Sequence, residues 1–264
     1  MRYVAVPKSY DPARPSPLIL FLHGYGSSGA AHAPMFDLGS IPEDERVILL
    51  APDGQIDKRE MRYWNAVPAC CDFEGEKPDD VGYLRSLIEQ AKQRFSIDPR
   101  RVYVVGHSNG AAMAMRLLCD AADVFAAAVE LAGPFYADIA GACHPSAPVS
   151  VRIMHGTADR VVPFEGGAIP GAVHPNASRF PIPSARGRAE GFAAINGCSA
   201  AQPGPDLDVD PTSPGAETKT WRWSECKGGA DVELWAMHGV GHIPREILSW
   251  RSAWEFLAAH PKHP

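Results

Sequence analysis

Short, continuous apolar runs divide the chain at regular intervals. The run at 18–22, LILFL, is typical of a strand buried on both faces of a parallel sheet. Similar runs, rich in β-branched and aromatic residues, predict further strands at 3–6, 47–50, 102–105, 126–131, 149–154 and 232–237. Most of these strands end in loops that contain glycine.

The segments between the strands carry apolar residues at helical spacing. Pro78, Asp79 and Asp80 form the start signal of one helix, whose apolar face runs from Val81 to Phe95. Other helices are expected directly after residue 108, over 184–196, and from near Pro244 to just before 261. Residues 55–78, 133–148 and 203–216 are expected to be irregular.

Strands that alternate with helices predict an α/β fold, in which helices cover both faces of a mostly parallel sheet. An apolar fraction of 45% over 264 residues suits one large domain, and no internal repeat is visible. We therefore expect residues 1–264 to form a single domain, and we expect the protein to be a monomer.

The net charge is −6, and the chain contains no run of lysine or arginine, which argues against nucleic acid as a partner. The longest apolar run falls short of the 18 residues that a membrane-spanning helix needs, so no membrane partner is expected. The first residues lack the charged start and apolar core of a signal peptide.

Six cysteines and 25 prolines favour an oxidising compartment. Cys198 and Cys226 flank the least regular stretch, and we expect a disulfide between them, worth about 3–4 kcal/mol in the chain-entropy model. Cys119 follows Ser108 in an apolar helix, where a buried free thiol is equally possible. The pairing of Cys70, Cys71, Cys119 and Cys143 stays open.

The stretch 102–115, VYVVGHSNGAAMAM, organises the rest of the chain. It predicts a strand, a tight G-x-S-x-G turn and a buried helix, which together form the nucleophile elbow of serine hydrolases. The turn forces unusual backbone angles on Ser108 and lifts its hydroxyl clear of the sheet. Gly106 and Gly110 allow strand and helix to approach closely. The alternative is a glycine-rich turn whose serine caps a helix.

A serine hydroxyl needs a base to remove its proton and an acid to orient that base. In this fold the partners follow in the order Ser, Asp or Glu, His, each just after a strand. Asp159 and His242 occupy such positions, in glycine-containing loops at strand ends. They are the predicted acid and base.

Four other residues compete for these roles or lie beside them. Glu130, inside a strand, is a second candidate for the acid, and His238, directly after the last strand, is a second candidate for the base. His155 is expected to make structural hydrogen bonds to the loop that holds Asp159. His107 is expected to point away from the nucleophile and to serve packing.

The tetrahedral intermediate of acyl transfer needs two hydrogen-bond donors for its oxyanion. The backbone N–H after the nucleophile, that of Asn109, is the first. The loop after the early strand, HGYG at 23–26, supplies the second at Tyr25.

The chain resembles the polyhydroxybutyrate depolymerase and feruloyl esterase family of α/β-hydrolases over nearly its whole length. The motifs are LHGYGSSG, Trp64 ahead of Ala69-Cys70-Cys71, DDVGYLRSLI, IDPRRVYVVGHSNGAAMAMRL, FAAAVELAG, HGTADRVVPFEGG, Asn196-Gly197-Cys198 and a late GVGH. The stretch 97–117 and HGTADRVVPFEGG are the most specific.

The resemblance implies a secreted or periplasmic, disulfide-containing ester hydrolase. Its triad is Ser108, Asp159 and His242, and its oxyanion donors are Tyr25 and Asn109. Trp64 resembles the family's aromatic residue before the cysteine pair, either lining the substrate cleft or anchoring a loop.

Two positions that would border the acyl group depart from the family. The tryptophan that usually follows the catalytic histidine is missing after His242, and Tyr25 stands where the family often has a small residue or cysteine. The substrate therefore does not carry over with the fold.

No cofactor or metal is expected. Asp206, Asp208 and Asp210 alternate like a fragment of a calcium loop but lack further ligands at set positions, which favours a solvated acidic loop. The expected function is hydrolysis of feruloyl or acyl esters of plant polysaccharide, or of a polyester such as polyhydroxybutyrate. The alternatives are a serine peptidase of the same fold and a non-catalytic binding module.

Overall fold

A nine-stranded sheet organises the described part of the chain. The structure is a computed structural model, and it describes residues 4–36, 41, 43–170, 179–210, 213–242 and 250–262. The strands are β1 (Val4–Ala5), β2 (Ser16–Leu22), β3 (Ile48–Leu50), β4 (Gln55–Ile56), β5 (Arg62–Tyr63), β6 (Ile97–His107), β7 (Ala127–Leu131), β8 (Ser150–Gly156), β9 (Gly167–Ala168), β10 (Pro181–Ile182), β11 (Gln202–Pro203), β12 (Thr218–Trp223) and β13 (Val232–Met237). Nine of the thirteen described strands belong to this sheet, and the other four form two separate antiparallel pairs, β4 with β5 and β9 with β10.

Six α-helices connect or cover these strands within the described ranges. They are α1 (Gly29–His32), α2 (Asp80–Arg94), α3 (Asn109–Asp120), α4 (Ile139–Ala142), α5 (Ala185–Asn196) and α6 (Trp250–Ala259). Short 3₁₀ turns lie at Ala33–Phe36, Glu43–Glu45 and Lys227–Gly229.

The sheet has the strand order β1-β3-β2-β6-β7-β8-β13-β12-β11. The six strands from β3 to β13 in this order run parallel, and antiparallel strands close both edges. Parallel strands place all their carboxyl ends at one edge, which is where ligands and catalytic groups collect in such sheets. The predicted α/β fold is confirmed.

Alternate residues of the central strands enter two apolar layers. Leu18, Leu20 and Leu22 of β2 face the layer that α2, α3 and α5 cover. Ile19 and Phe21 face the opposite layer, which packs against α6. Every residue of β2 is buried, as its continuous apolar run predicts.

The predicted helix starts agree with the structure where it describes them. Asp79 is the N-cap of α2, and its carboxylate accepts a hydrogen bond from the backbone N–H of Gly82 at 2.8 Å. The predicted start of the last helix, near Pro244, lies outside the described residues. Its described part, α6, ends at Ala259, before residue 261 as expected.

Several edge elements differ from the sequence prediction. β12, which the sequence analysis does not predict, pairs with β13 over six residues, and its burial alternates only from Thr218 to Trp221. The hairpin of β4 and β5 lies within the segment expected to be irregular. β6 begins at Ile97, five residues before its predicted start, because an exposed segment extends the buried strand.

All six cysteines lie in described ranges and are paired. Cys198 bonds to Cys226, which confirms the expected disulfide. Cys119 bonds to Cys143, so the free-thiol alternative for Cys119 is wrong. The neighbours Cys70 and Cys71 form the third disulfide. Among the helices described, none combines the length and the apolar character required to traverse a bilayer.

Candidate active site

Ser108 occupies the turn between β6 and α3 with backbone angles that a non-glycine residue rarely adopts. Its φ is 56° and its ψ is −121°, and its N–H donates to the carbonyl oxygen of Leu131 at 2.8 Å. A Cβ at Gly106 would lie 2.2 Å from the oxygen of Gly110, and one at Gly110 would lie 2.1 Å from the oxygen of Leu22. The sequence therefore needs glycine on both sides of the serine.

Ser108, His242 and Asp159 form a continuous hydrogen-bonded line at the carboxyl end of the sheet. His242 Nε2 lies 2.9 Å from Ser108 Oγ, and His242 Nδ1 lies 2.7 Å from Asp159 Oδ2. The acid side chain is fully buried, whereas the His242 side chain is 13% exposed. In this geometry Nδ1–H donates to the carboxylate and Nε2 can accept the serine proton.

Four hydrogen bonds hold the carboxylate of Asp159. Its Oδ1 accepts from the backbone N–H groups of Val161 and Val162 at 2.8 and 2.9 Å. Its Oδ2 accepts from His242 and lies 3.2 Å from Nε2 of His155. Burial alone raises the pKa of Asp159, but the bonds from the two histidines outweigh it and hold that pKa well below its ordinary range. The group is therefore an ionised acceptor.

The alternative acid and base lie away from this line. Glu130 is fully buried on β7, and its carboxylate accepts from Gly133 N–H and Arg188 Nε. His238 is exposed at the end of β13. His155 bonds to the carbonyl of Val162, inside the loop that holds the acid, as the sequence predicts.

His107 does more than pack. Its Nε2 donates to the backbone carbonyl of His242 at 2.8 Å, and the two rings lie 4.9 Å apart. Burial first, and then the neighbouring His242 and His32, hold the pKa of His107 well below its ordinary value, so it is neutral. His107, beside Ser108, thus supports the loop that carries His242, a role that the sequence does not predict.

The loop after β2 lies directly against Ser108. A Cβ at Gly24 would lie 3.3 Å from Cβ of Ser108. The next residue, Tyr25, donates its hydroxyl to Asp57 Oδ2 at 2.5 Å, and Gly26 N–H donates to the carbonyl of Arg62 at 2.8 Å. The loop expected to carry an oxyanion donor is thereby attached to the β4–β5 hairpin.

Trp64 connects this loop to helix α3. Its backbone N–H donates to Asn109 Oδ1 at 2.7 Å, and its carbonyl accepts from Asn109 Nδ2 at 2.9 Å. Its indole Nε1–H donates to the carbonyl of His23 at 3.0 Å. The side chain is 0% exposed, so it has no surface with which to touch a substrate. The structure contradicts a cleft-lining role and supports the alternative, a loop anchor.

A mostly parallel sheet, a serine on a strained strand-to-helix turn and the order Ser, Asp, His define an α/β-hydrolase. The family model described as phospholipase/carboxylesterase matches residues 3–174. The chain belongs to this family, and the predicted resemblance to α/β-hydrolase esterases is confirmed.

Known relatives carry esterase names. Feruloyl esterase B of Piromyces equi is 30% identical over 196 residues, which cover 74% of this chain and 33% of that protein. A bifunctional acetylxylan esterase/xylanase of Neocallimastix patriciarum is 23% identical over 246 residues, 92% of this chain and 31% of that protein. The chain thus spans about a third of the length of these two curated relatives.

A solved structure shares the fold. The acetyl xylan esterase from Aspergillus awamori superposes with a TM-score of 0.69 over 97% of this chain and 93% of that chain. The sequence identity is 15%, so this likeness concerns the fold alone.

Proposed function

We propose that this protein is a serine carboxylic ester hydrolase that works through an acyl-enzyme on Ser108. One observation carries the proposal: Ser108 Oγ, His242 and Asp159 are joined by hydrogen bonds of 2.9 and 2.7 Å on a strained elbow. A neutral histidine accepting from a serine and donating to a buried carboxylate is the arrangement that makes a hydroxyl nucleophilic at neutral pH.

The steps follow from this geometry. Ser108 Oγ attacks the ester carbonyl carbon while His242 Nε2 takes the serine proton. The Tyr25 and Asn109 N–H groups hold the oxyanion until it collapses, and His242 returns the proton to the leaving alcohol. Water then repeats the attack on the acyl-enzyme, releasing the acid and restoring the serine.

We propose esters of plant polysaccharide as substrates, with a hydroxycinnamoyl or short acyl group. The names of the two curated relatives, a feruloyl esterase and an acetylxylan esterase/xylanase, support this choice. Polyhydroxybutyrate stays a second candidate on the sequence resemblance. Three disulfides support a secreted or periplasmic location. We further propose that residues 1–264 act as one monomeric catalytic domain.

The test is hydrolysis of a small panel by the wild type and by Ser108→Ala. The panel contains p-nitrophenyl acetate and butyrate, methyl ferulate and a polyhydroxybutyrate suspension. We expect cleavage of at least one ester and a loss on the order of 10⁴–10⁶-fold in the variant. Cleavage of none, or equal activity in the variant, would return the peptidase and binding-module alternatives.

A further inference from the structure

A buried charged side chain lies behind the acid of the triad. Arg188, on α5, is fully buried, as is its partner Glu130 on β7. The guanidinium Nε and Nη2 both lie 3.1 Å from Oε1 of Glu130. The second carboxylate oxygen of Glu130 accepts from the backbone N–H of Gly133 at 2.9 Å. The two opposite charges therefore compensate each other inside the protein.

The same guanidinium contacts a histidine that touches Asp159. Arg188 Nη2 lies 2.6 Å from Nδ1 of His155. The other ring nitrogen of His155, Nε2, lies 2.9 Å from the carbonyl oxygen of Val162 and 3.2 Å from Oδ2 of Asp159. The His155 ring is completely buried between these groups.

These contacts leave one arrangement of protons on His155. A guanidinium is always charged and can only donate, so Nδ1 of His155 must present its lone pair. Nε2 must then carry the hydrogen, because both groups facing it are acceptors. The other tautomer would direct two hydrogens at each other on one side and three lone pairs on the other. A second proton on the ring would meet the guanidinium charge.

We propose that Arg188 is a positioning residue that fixes His155 as the neutral Nε2–H tautomer, so that His155 holds Asp159 in line with His242. The inference rests on the proposed function for its kinetic part only. Arg188 acts through His155 and Asp159 rather than by touching substrate. Its contribution is to keep the Nε2–H donor of His155 directed at the carboxylate.

The wild-type protein provides the first test, and this test does not require activity. We would record ¹⁵N spectra of the histidine side chains at pH 7, with His155 assigned through its backbone. We expect the pattern of a ring whose hydrogen is on Nε2 and whose Nδ1 carries the lone pair. A ring that is protonated at Nδ1 would overturn the proposal.

A double variant provides the kinetic test. Arg188→Met alone would leave Glu130 as an unpaired buried charge, so Glu130→Gln is combined with it; Gln retains an acceptor for Gly133. We expect kcat to fall on the order of 10- to 100-fold with KM nearly unchanged, because the acid is displaced while the substrate surface stays. The ¹⁵N spectrum of His155 should now show a population protonated at Nδ1, because the guanidinium donor no longer faces that nitrogen. Arg188→Lys, with Glu130 retained, should have a kcat between those of the double variant and the wild type, because lysine is also a charged donor.

Arg186→Met is the matched control, since Arg186 lies one half-turn away on the same helix and is exposed beside Glu190. It should leave kcat and the spectrum of His155 unchanged. A folded double variant with wild-type kcat and an unchanged ring would sink the proposal. If Ser108→Ala retains activity while the His155 ring is fixed as described, the proposed function fails and the ring assignment stands.

Discussion

At the scale of single residues, the site depends on side chains that do not react. The side-chain amide of Asn109 accepts from the backbone N–H of Trp64 and donates to its carbonyl oxygen. The indole N–H of Trp64 donates to the carbonyl oxygen of His23. This connects the two backbone segments that we expect to hold the oxyanion. Their separation is therefore set by buried hydrogen bonds, each of which leaves an unsatisfied polar group when one partner is removed.

Trp64→Phe should affect kcat more strongly than it affects the free energy of unfolding. Phenylalanine keeps an aromatic ring in the buried space but is smaller and has no N–H, so the carbonyl of His23 loses its donor and the loop of Tyr25 can shift relative to Asn109. We expect a decrease on the order of 10-fold in kcat, with KM changed little. Initial rates of p-nitrophenyl butyrate hydrolysis give kcat and KM, and thermal unfolding gives the stability, so the two effects are measured separately.

Trp254→Phe, in the opposite core layer, serves as the control. It removes a similar volume far from the oxyanion segments and should lower stability while kcat is retained. Equal losses of kcat in both variants would contradict the positioning role of Trp64.

At the scale of elements, strand β6, the turn at Ser108 and helix α3 pack too closely for a side chain at Gly106 or Gly110. A Cβ at Gly110 would approach the backbone oxygen of Leu22 to 2.1 Å, and a backbone atom of β2 cannot move aside cheaply. Glycine is therefore required at this position by the close packing of α3 against β2.

Gly110→Ala should destabilise the protein by several kcal/mol and abolish activity, because α3 must separate from β2 and carry Ser108 with it. Urea unfolding and ester hydrolysis measure the two effects. Gly187→Ala on α5 is the comparison: the nearest atom to its Cβ would be Oγ of Ser184, the N-cap of α5, at 3.2 Å, which a small shift relieves while the capping hydrogen bond to the N–H of residue 187 is kept. That variant should unfold at the same urea concentration or slightly above it.

The sequence was most informative where chemistry demands a residue type at a strand end. Ser108, Asp159 and His242 were predicted in this way, and the structure brings their side chains together. Where contacts join distant segments, local pattern carries no signal. The Arg188–Glu130 pair spans 58 residues, and Arg188 in sequence resembles any helix-surface arginine.

Edge elements were missed for a different reason. β12 follows a proline- and glycine-rich loop, and its six residues TKTWRW have no regular alternation, because the buried positions are 218, 220 and 223. Trp64 was ambiguous because an aromatic residue beside a cleft and one beneath a loop have the same local sequence. Only its complete burial decides between them.

At the scale of the whole molecule, several histidines are buried beside the site in neutral form. Burial lowers the pKa of His23, and burial with the neighbouring His23 and His242 lowers the pKa of His32 to about 4. His107 is shifted in the same direction, chiefly by burial. Burial acts oppositely on Asp80, whose pKa is raised to about 6. As the pH falls from 6.5 to 4, the three histidines therefore favour the unfolded state, whereas Asp80 favours the folded state.

The free energy of unfolding should fall as the pH falls through this range. A histidine whose pKa is lower in the folded state stabilises above its unfolded pKa, near 6.5, and this stability is lost as the pH falls toward the folded value. Each such group contributes up to about 1.4 kcal/mol per pH unit, and Asp80 offsets one of them. Urea unfolding at pH 7.5, 6 and 4.5 measures the slope.

His32→Asn should reduce that slope, since the Asn oxygen can replace Nδ1 as the acceptor for Gly24 N–H without taking a proton. His144→Asn, at an exposed histidine, should leave the slope unchanged. A slope that is flat in the wild type, or equal in both variants, would contradict the assignment of His32 as a buried neutral group.

The most direct test of the account is to identify the residue that becomes covalently modified. An alkyl fluorophosphonate reacts with a serine that a histidine has activated, and mass spectrometry of the digested protein locates the adduct. The account predicts one adduct, on the peptide that contains Ser108, abolished in Ser108→Ala and strongly slowed in His242→Ala. An adduct at another residue, or an active ester hydrolase that forms none on Ser108, would contradict it.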